Sequence, residues 1–316
     1  VVIKSGAAFE RLGGIRHLAV DKTGTLTRNQ PEVNGVVPAE GFDRAQVLAF
    51  AAAVEQQSTH PLAAAIAAAE PEAPAALDIS EEAGHGIGGT VEGRRLLVGS
   101  PRWIDAGPLK ADVERMESEG QTCVLVTVDD TLAGAIGVRD ELRPEVPEAV
   151  QTLRANDVEV SMLTGDNTRT ARALAEIAGI DDVRAELRPE DKASIVAELS
   201  SKTPTAMIGD GINDAPALAG ATVGIAMGAT GSDAAIESAD VAFTGHDLRL
   251  IPQALQHARR GSRIINQNIV LSLAIIIVLM PLAISGVLGL ATVVLVHEVA
   301  EVIVILNGLR AARAKR

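Results

Sequence analysis

The sequence predicts an α/β protein in three parts: a doubly wound parallel sheet, a second α/β unit inserted into that sheet, and a two-helix hairpin through a membrane. Three observations carry this reading. From Asp140 onward, short apolar runs alternate with stretches of helical spacing, the pattern of a parallel sheet with helices on both faces. An apolar run of the same character, residues 15–21, stands far upstream, so whatever lies between interrupts the sheet. Finally, the chain from Ile264 to Leu306 is almost wholly apolar.

Composition bounds the function. The 316 residues are enough for two or three domains. A net charge of -13, 2% aromatic residues and no Tyr argue against nucleic acid as a partner, which needs a basic surface and stacking rings. Cys123 is the only cysteine, so no internal disulfide forms and the polar part is expected in a reducing compartment. The chain opens on "VVIKSGAAFERLGG" without a Met or a signal peptide, and reads as a fragment of a longer protein.

Each element follows in order. Residues 15–21 read as a buried strand. "DRAQVLAFAAAVEQ" (43–56) has helical spacing with Asp43 as N-cap, and "HPLAAAIAAAE" starts a second helix at Pro61. "EPEAPAA" is a surface linker. "RRLLVGS", "TCVLVTVDD" and "LAGAIGV" are strands, with a helix over 108–119. Residues 32–135 thus form the insert, between a first sheet segment (1–31) and a second (136–260). In the latter, "PEVPEAVQTLRAN", "TRTARALAEIAG" and "DKASIVAELSS" are helices. "EVSMLTGD", "TAMIGD", "TVGIAMG" and "DVAFTG" are strands. Residues 261–309 form the hairpin, turning at "SGVLG", and 310–316 a basic tail. The apolar run exceeds the roughly 20 residues of one span. Arg259, Arg260 and Arg263 precede it, Arg310, Arg313, Lys315 and Arg316 follow it, and the tip is uncharged. The positive-inside rule puts both ends, and the polar domains, in the cytoplasm.

Three strands end in polar clusters: Asp21-Lys22-Thr23, Thr164-Gly165-Asp166, and Asp210-Gly211 with Asn213-Asp214. Ligands of open α/β sheets bind beyond the carboxyl ends of strands, so the clusters should converge, with Lys192 of "RPEDKASIV" nearby. Carboxylates beside a lysine suit phosphoryl transfer. Acids hold Mg²⁺, Lys192 and Thr164 neutralise phosphoryl oxygens, and Asp21 attacks to give an aspartyl phosphate. Thr23 stands two residues after Asp21, where a self-hydrolysing phosphatase needs an acid/base. The intermediate is therefore expected to persist. A single cluster would be no more than strand-end solvation.

"DKTGTLT", "TGDN" and "GDGINDAPAL" resemble the phosphorylation-domain signatures of P-type ATPases, and the resemblance covers essentially the whole chain. It implies a haloacid-dehalogenase-like phosphorylation domain with an inserted nucleotide-binding domain. Asp21 resembles the phosphorylated residue, Thr23 (through its carbonyl) and Asp210 the further Mg²⁺ ligands. Thr164, Gly165, Asp166, Lys192, Asn213 and Asp214 match the supporting shell. "EQQSTHPLA" and "GHGIGG" resemble the nucleotide motifs of the heavy-metal-transporting (P-IB) branch. There His60, ahead of Pro61, can stack on adenine, Glu55 can accept from its amine, and Gly84 and Gly86 allow close approach. His17, His85, His246 and His257 lack such context and are expected as surface or loop residues.

The resemblance implies a bacterial, multi-pass plasma-membrane protein that exports a metal with ATP and Mg²⁺. No Thr-Gly-Glu, Cys-Pro-Cys or Ser-Pro-Cys occurs, so the actuator element and the upstream metal-binding helix are expected in a missing N-terminal half. His297 and Glu301 fall on one helix face in "HEVAEVIVILNGLR", with Glu298 a quarter-turn away. Ionisable groups at membrane depth are costly unless paired or functional. The His-Glu pattern resembles the cobalt-type subgroup, and the ligand chemistry favours Co, Ni, Fe or Zn over Cu. Two other functions fit the residues less well: a membrane-tethered haloacid-dehalogenase-type phosphatase, against which Thr23 and the insert count, and an inactive regulatory fragment, against which intact Asp21, Lys192 and Asp210 count.

Overall fold

The computed structural model describes residues 1–58, 60–82, 85–210, 212–228, 237–243, 245 and 247–312. In chain order the first elements are β1 (Val2–Ile3), α1 (Gly6–Gly14), β2 (His17–Asp21) and β3 (Thr27–Pro38). The insert continues with α2 (Arg44–Glu55), α3 (Pro61–Ala69), β4 (Leu77–Glu82), β5 (Gly86–Val91), β6 (Arg94–Gly99), α4 (Lys110–Ser118), β7 (Thr122–Val128) and β8 (Thr131–Leu142). The chain then returns to the first sheet through α5 (Val146–Ala155), β9 (Glu159–Leu163), α6 (Thr168–Ala178), β10 (Asp182–Arg184), α7 (Pro189–Lys202), β11 (Thr205–Gly209), α8 (Ala215–Gly220), β12 (Val223–Met227) and β13 (Val241–Phe243). Two long helices follow, α9 (Leu250–Ile284) and α10 (Leu290–Ala312).

The first sheet has the order β1-β13-β12-β11-β2-β9-β10. All its pairs are parallel except the short edge pair β1/β13. Strand β2 therefore sits in the middle, with β11 and β9 on either side in register. All five β2 residues are buried, as a strand covered on both faces requires. His17 is thus a correction to its expected surface place. It is 6% exposed, and its Nε2 lies 2.8 Å from Ser161 Oγ on β9. His85 and His257 are exposed, the latter edge-on to Phe9; His246 lies outside the described residues.

The inserted sheet is antiparallel, β3-β8-β7-β6-β5-β4. Asp43 caps α2 as expected and forms a full capping box: Asp43 Oδ1 accepts from the Gln46 amide and Gln46 Oε1 from the Asp43 amide. Ala51, Ala52, Val54, Ile66 and Val126 meet in a core on one face of this sheet. Val113, Met116, Cys123 and Leu125 meet on the other. Cys123 is the small buried thiol of that second core, pushed up to about 12 by burial first and then by Glu117.

The expected boundaries at 31/32, 135/136, 260/261 and 309/310 fall inside continuous elements. β3 and β8 pair from Thr27/Leu142 to Pro38/Gly134, so the inserted sheet runs past 32 and 135 as a two-stranded ribbon to the first sheet. β3 escaped sequence reading because Asn29, Pro31 and Gly35 break its alternation, and only Thr27 and Val36 of it are buried. Likewise α9 is one helix from 250 to 284. Its first turns pack Ile251, Leu255 and Ala258 into the first core, while Leu273, Ile277, Met280 and Ile284 are exposed. At 1.5 Å per residue it reaches about 50 Å, more than a bilayer's apolar thickness. It is thus long enough to anchor in the domain and span a membrane as one rod. α10 is the second helix long and apolar enough to span. Asn307 Nδ2 donates to Asn268 Oδ1 at 2.8 Å between the two.

Candidate active site

Because β2, β9 and β11 are adjacent and parallel, their carboxyl ends bring all three polar clusters together. Asp21 ends β2, 5% exposed. Lys192, from the first turn of α7, donates to Asp21 Oδ1 at 2.5 Å and to Asp214 Oδ1 at 3.0 Å. Asp210 completes the group: one oxygen from each of Asp21, Asp210 and Asp214 lies within 4.8 Å of the others.

The turn after Asp21 explains Gly24. Its φ is +71°, and a Cβ there would fall 1.6 Å from Asp210 Oδ2. Any side chain would displace that carboxylate. Gly209 acts similarly, since its Cβ would meet Asp214 Oδ2 at 2.6 Å. Arg143 holds the turn from outside, donating Nε to Thr25 O at 3.1 Å and Nη2 to Gly24 O at 3.2 Å. The sequence offered no signal for Arg143, which lies 119 positions from Gly24.

On the other side, Thr164 is 2% exposed, and its Oγ1 accepts from the Asp166 amide at 3.2 Å. Gly165 sits against Leu187 O, 3.2 Å from where a Cβ would be. Lys22 Nζ donates to Asp166 Oδ2 at 2.6 Å. The sequence placed Lys22 in the cluster without a role; here it ties the β2 end to the β9 end. Thr23 is half-buried in the turn, and Asn213 is exposed at the rim.

Electrostatics set the chemistry. Burial first, and then the charges of Asp214 and Asp210, push Asp21 up to about 7 against the pull of Lys192. Burial and Asp214 likewise raise Asp210 to about 6. Burial alone would depress the Lys192 ammonium, but Asp21 and Asp214 outweigh it and hold it above its usual range. Three crowded carboxylates facing one ammonium are short of positive charge, and their oxygen donors fit a hard divalent cation such as Mg²⁺.

In the insert, Glu55 ends α2, 8% exposed, and burial first and Glu81 second push it up to about 7. His60 caps α3: its Nδ1 accepts from the Leu62 amide at 3.2 Å. The acceptor role of Nδ1 leaves Nε2–H as the free edge of the ring. Gly86 has a packing reason of its own, as a Cβ would meet Val98 O at 2.1 Å. Gly84 lies outside the described residues, and Pro61 is the first residue of α3. Glu55 yields a stability prediction. Its ordinary value is 4.5 and its folded value about 7. Between them the folded state holds the extra proton, so this group's contribution is full below 4.5 and lost as pH rises through 7. Glu55→Gln is expected to stabilise the protein at pH 8 by about 1–3 kcal/mol relative to its effect at pH 4.5. Urea unfolding of both forms at the two pH values checks it, and an equal effect at both would refute it.

In the hairpin, His297 Nε2 lies 3.3 Å from Glu301 Oε1. Both line a cleft of about 350 Å³ between α9 and α10, with Ser272 opposite. Glu298 is exposed and does not line it.

Residues 15–222 match the haloacid dehalogenase-like hydrolase family. The chain belongs to that family. Within it, this haloacid dehalogenase-like chain fits the C-terminal half of heavy-metal P-type ATPases. It is 58% identical over 315 residues to a probable cation-transporting ATPase G of Mycobacterium tuberculosis, covering 100% of this chain and 41% of the relative. It is 41% identical over 318 residues to the zinc/cadmium/lead-transporting P-type ATPase of Escherichia coli, covering 99% and 43%. Among solved structures, a zinc-transporting PIB-type ATPase in its E2.Pi state superposes with a TM-score of 0.74 at 41% identity, covering 99% of this chain and 52% of that one. The haloacid dehalogenase-like chain thus spans about half the length of these relatives or somewhat less.

Proposed function

We propose that this chain is the catalytic portion of an ATP-driven exporter of a divalent transition-metal cation, working through an aspartyl phosphate on Asp21. The observation that carries this reading is Lys192 bridging Asp21 and Asp214, with Asp210 alongside, at the carboxyl end of the central strand. Asp21, Asp210 and the Thr23 carbonyl would hold Mg²⁺, and Asp214 lies close enough to share it. A bound Mg²⁺ supplies the positive charge that keeps Asp21 ionised and neutralises the phosphates.

ATP binds with its adenine at His60 and Glu55, near Gly84 and Gly86. Asp21 attacks the γ-phosphorus, the bond to the ADP oxygen breaks, and ADP leaves. Lys192 and Thr164 face the phosphoryl oxygens where charge develops. Gly165, Asp166, Asn213 and Asp214 support them. Thr23 offers no base for hydrolysis, so the upstream half of the full-length protein delivers the water. The test is acid-stable, hydroxylamine-labile label from γ-labelled ATP on the full-length protein, across divalent metals. Free phosphate released from small phosphomonoesters without ATP would favour a phosphatase.

The cargo site is placed at His297 and Glu301, in a bilayer with both hairpin ends cytoplasmic, and Glu298 ranks second. Imidazole and carboxylate suit Zn²⁺, Co²⁺, Ni²⁺ or Fe²⁺ more than Cu⁺. Zinc is among the ions of the Escherichia coli relative and of the PIB-type ATPase structure above. His297→Ala in the full-length protein is expected to abolish metal-stimulated ATP turnover while ATP still binds. Full stimulation by every divalent metal would make the pair structural.

A further inference from the structure

Glu117 belongs to the inserted domain, near the end of α4, yet its carboxylate is spent on the other domain. Its side chain is 9% exposed. Oε1 accepts from Asn167 Nδ2 at 3.1 Å and Oε2 from Arg169 Nη1 at 2.7 Å. Next to it, Thr170 Oγ1 donates to Gln121 O at 2.8 Å, so the α4 end and the α6 start are joined at several points. An exposed ion pair would be worth little. A nearly buried carboxylate with two donors is different, because losing them leaves it poorly solvated.

The partner matters more than the count. Asn167 directly follows Thr164-Gly165-Asp166, and it caps α6, its Oδ1 accepting from the Thr170 amide at 2.9 Å. Its oxygen therefore fixes the helix while its nitrogen holds the insert. One residue earlier, Asp166 takes Lys22, the neighbour of Asp21. The path from Glu117 to the nucleophile is thus Asn167, Asp166, Lys22. The chain passes between the two domains only through the β3 and β8 strands of the ribbon.

We propose that Glu117 is a positioning residue: it latches the inserted domain onto the start of α6, beside the 164–167 loop, and so docks the nucleotide-bearing domain over Asp21. This rests on the phosphoryl-transfer reading above. Glu117→Gln keeps the shape and removes the charge. In the full-length protein it should slow acyl-phosphate formation from ATP about tenfold. Formation from inorganic phosphate, which needs no nucleotide domain, should be unchanged. Arg169→Met should act alike, and the double variant should be no worse than either single one. Equal losses with both phosphate donors, no loss, or a gain with ATP would overturn the latch. A wild-type protein that forms no acyl phosphate would instead sink the Asp21 reading. A second measurement needs no catalysis. Nitroxides at Glu72→Cys and Lys202→Cys report the interdomain distance in this 316-residue chain, whose only native thiol is buried. Glu117→Gln should broaden that distribution, and an unchanged one overturns the proposal.

Discussion

Asp21→Asn is expected to abolish the covalent phosphoenzyme while leaving ATP binding nearly intact. An amide oxygen is too weak a nucleophile to open a phosphoanhydride, and in this reading Asp210 serves the cation while Asp214 pairs with Lys192. The loss should be on the order of 10⁴-fold or more, the scale for deleting a covalent nucleophile. The fold should tolerate the change. Burial and two neighbouring carboxylates already oppose the ionised form of Asp21, so a neutral isostere relieves repulsion while Lys192 keeps Asp214 as partner. Calorimetry with ATP checks binding, and labelling from γ-labelled ATP checks the intermediate. Residual hydroxylamine-labile label on the variant would remove Asp21 from its role.

Asp210→Asn is expected to remove Mg²⁺-dependent phosphorylation at low Mg²⁺. Loss of even an outer-shell partner weakens metal affinity about 10–100-fold, and a direct carboxylate ligand should cost at least that. Without Mg²⁺ the variant should melt no lower than wild type, because Asp210 is itself held up by burial and by Asp214. That pairing of results separates ligand loss from misfolding. Normal phosphorylation at the same low Mg²⁺ would leave Asp210 a structural partner of Gly24 only.

Much of this chain was legible from its residues. Strands β2, β9 and β11 announce themselves as short apolar runs that stop at Asp21, Thr164 and Asp210, and chain order alone brings such ends to one edge of a parallel sheet. Asp43, Gly179 and Pro61 mark helix ends locally, and Gly179 takes the left-handed conformation expected of a helix stop. The hairpin is legible because its apolar length exceeds any ordinary core helix.

What stayed hidden was non-local. His17 reads as an unremarkable polar residue until β9 supplies Ser161 beside it, 144 positions away. Gly86 has a packing reason that its motif does not reveal, since Val98 and Trp103 fill the space its side chain would need. Arg143 and Glu117 carry no motif; each acts on a loop of another segment, and only the packing of ribbon, sheet and helix brings them there. The sequence determined the chemistry offered at the sheet edge, because strand ends and turns are written in short-range patterns. The tertiary structure alone decided which carboxylates share one cation-sized space, which lysine serves which acid, and what couples the two domains. Those depend on pairs well beyond any local pattern, 50 positions apart for Glu117 and Asn167 and 171 for Lys192 and Asp21.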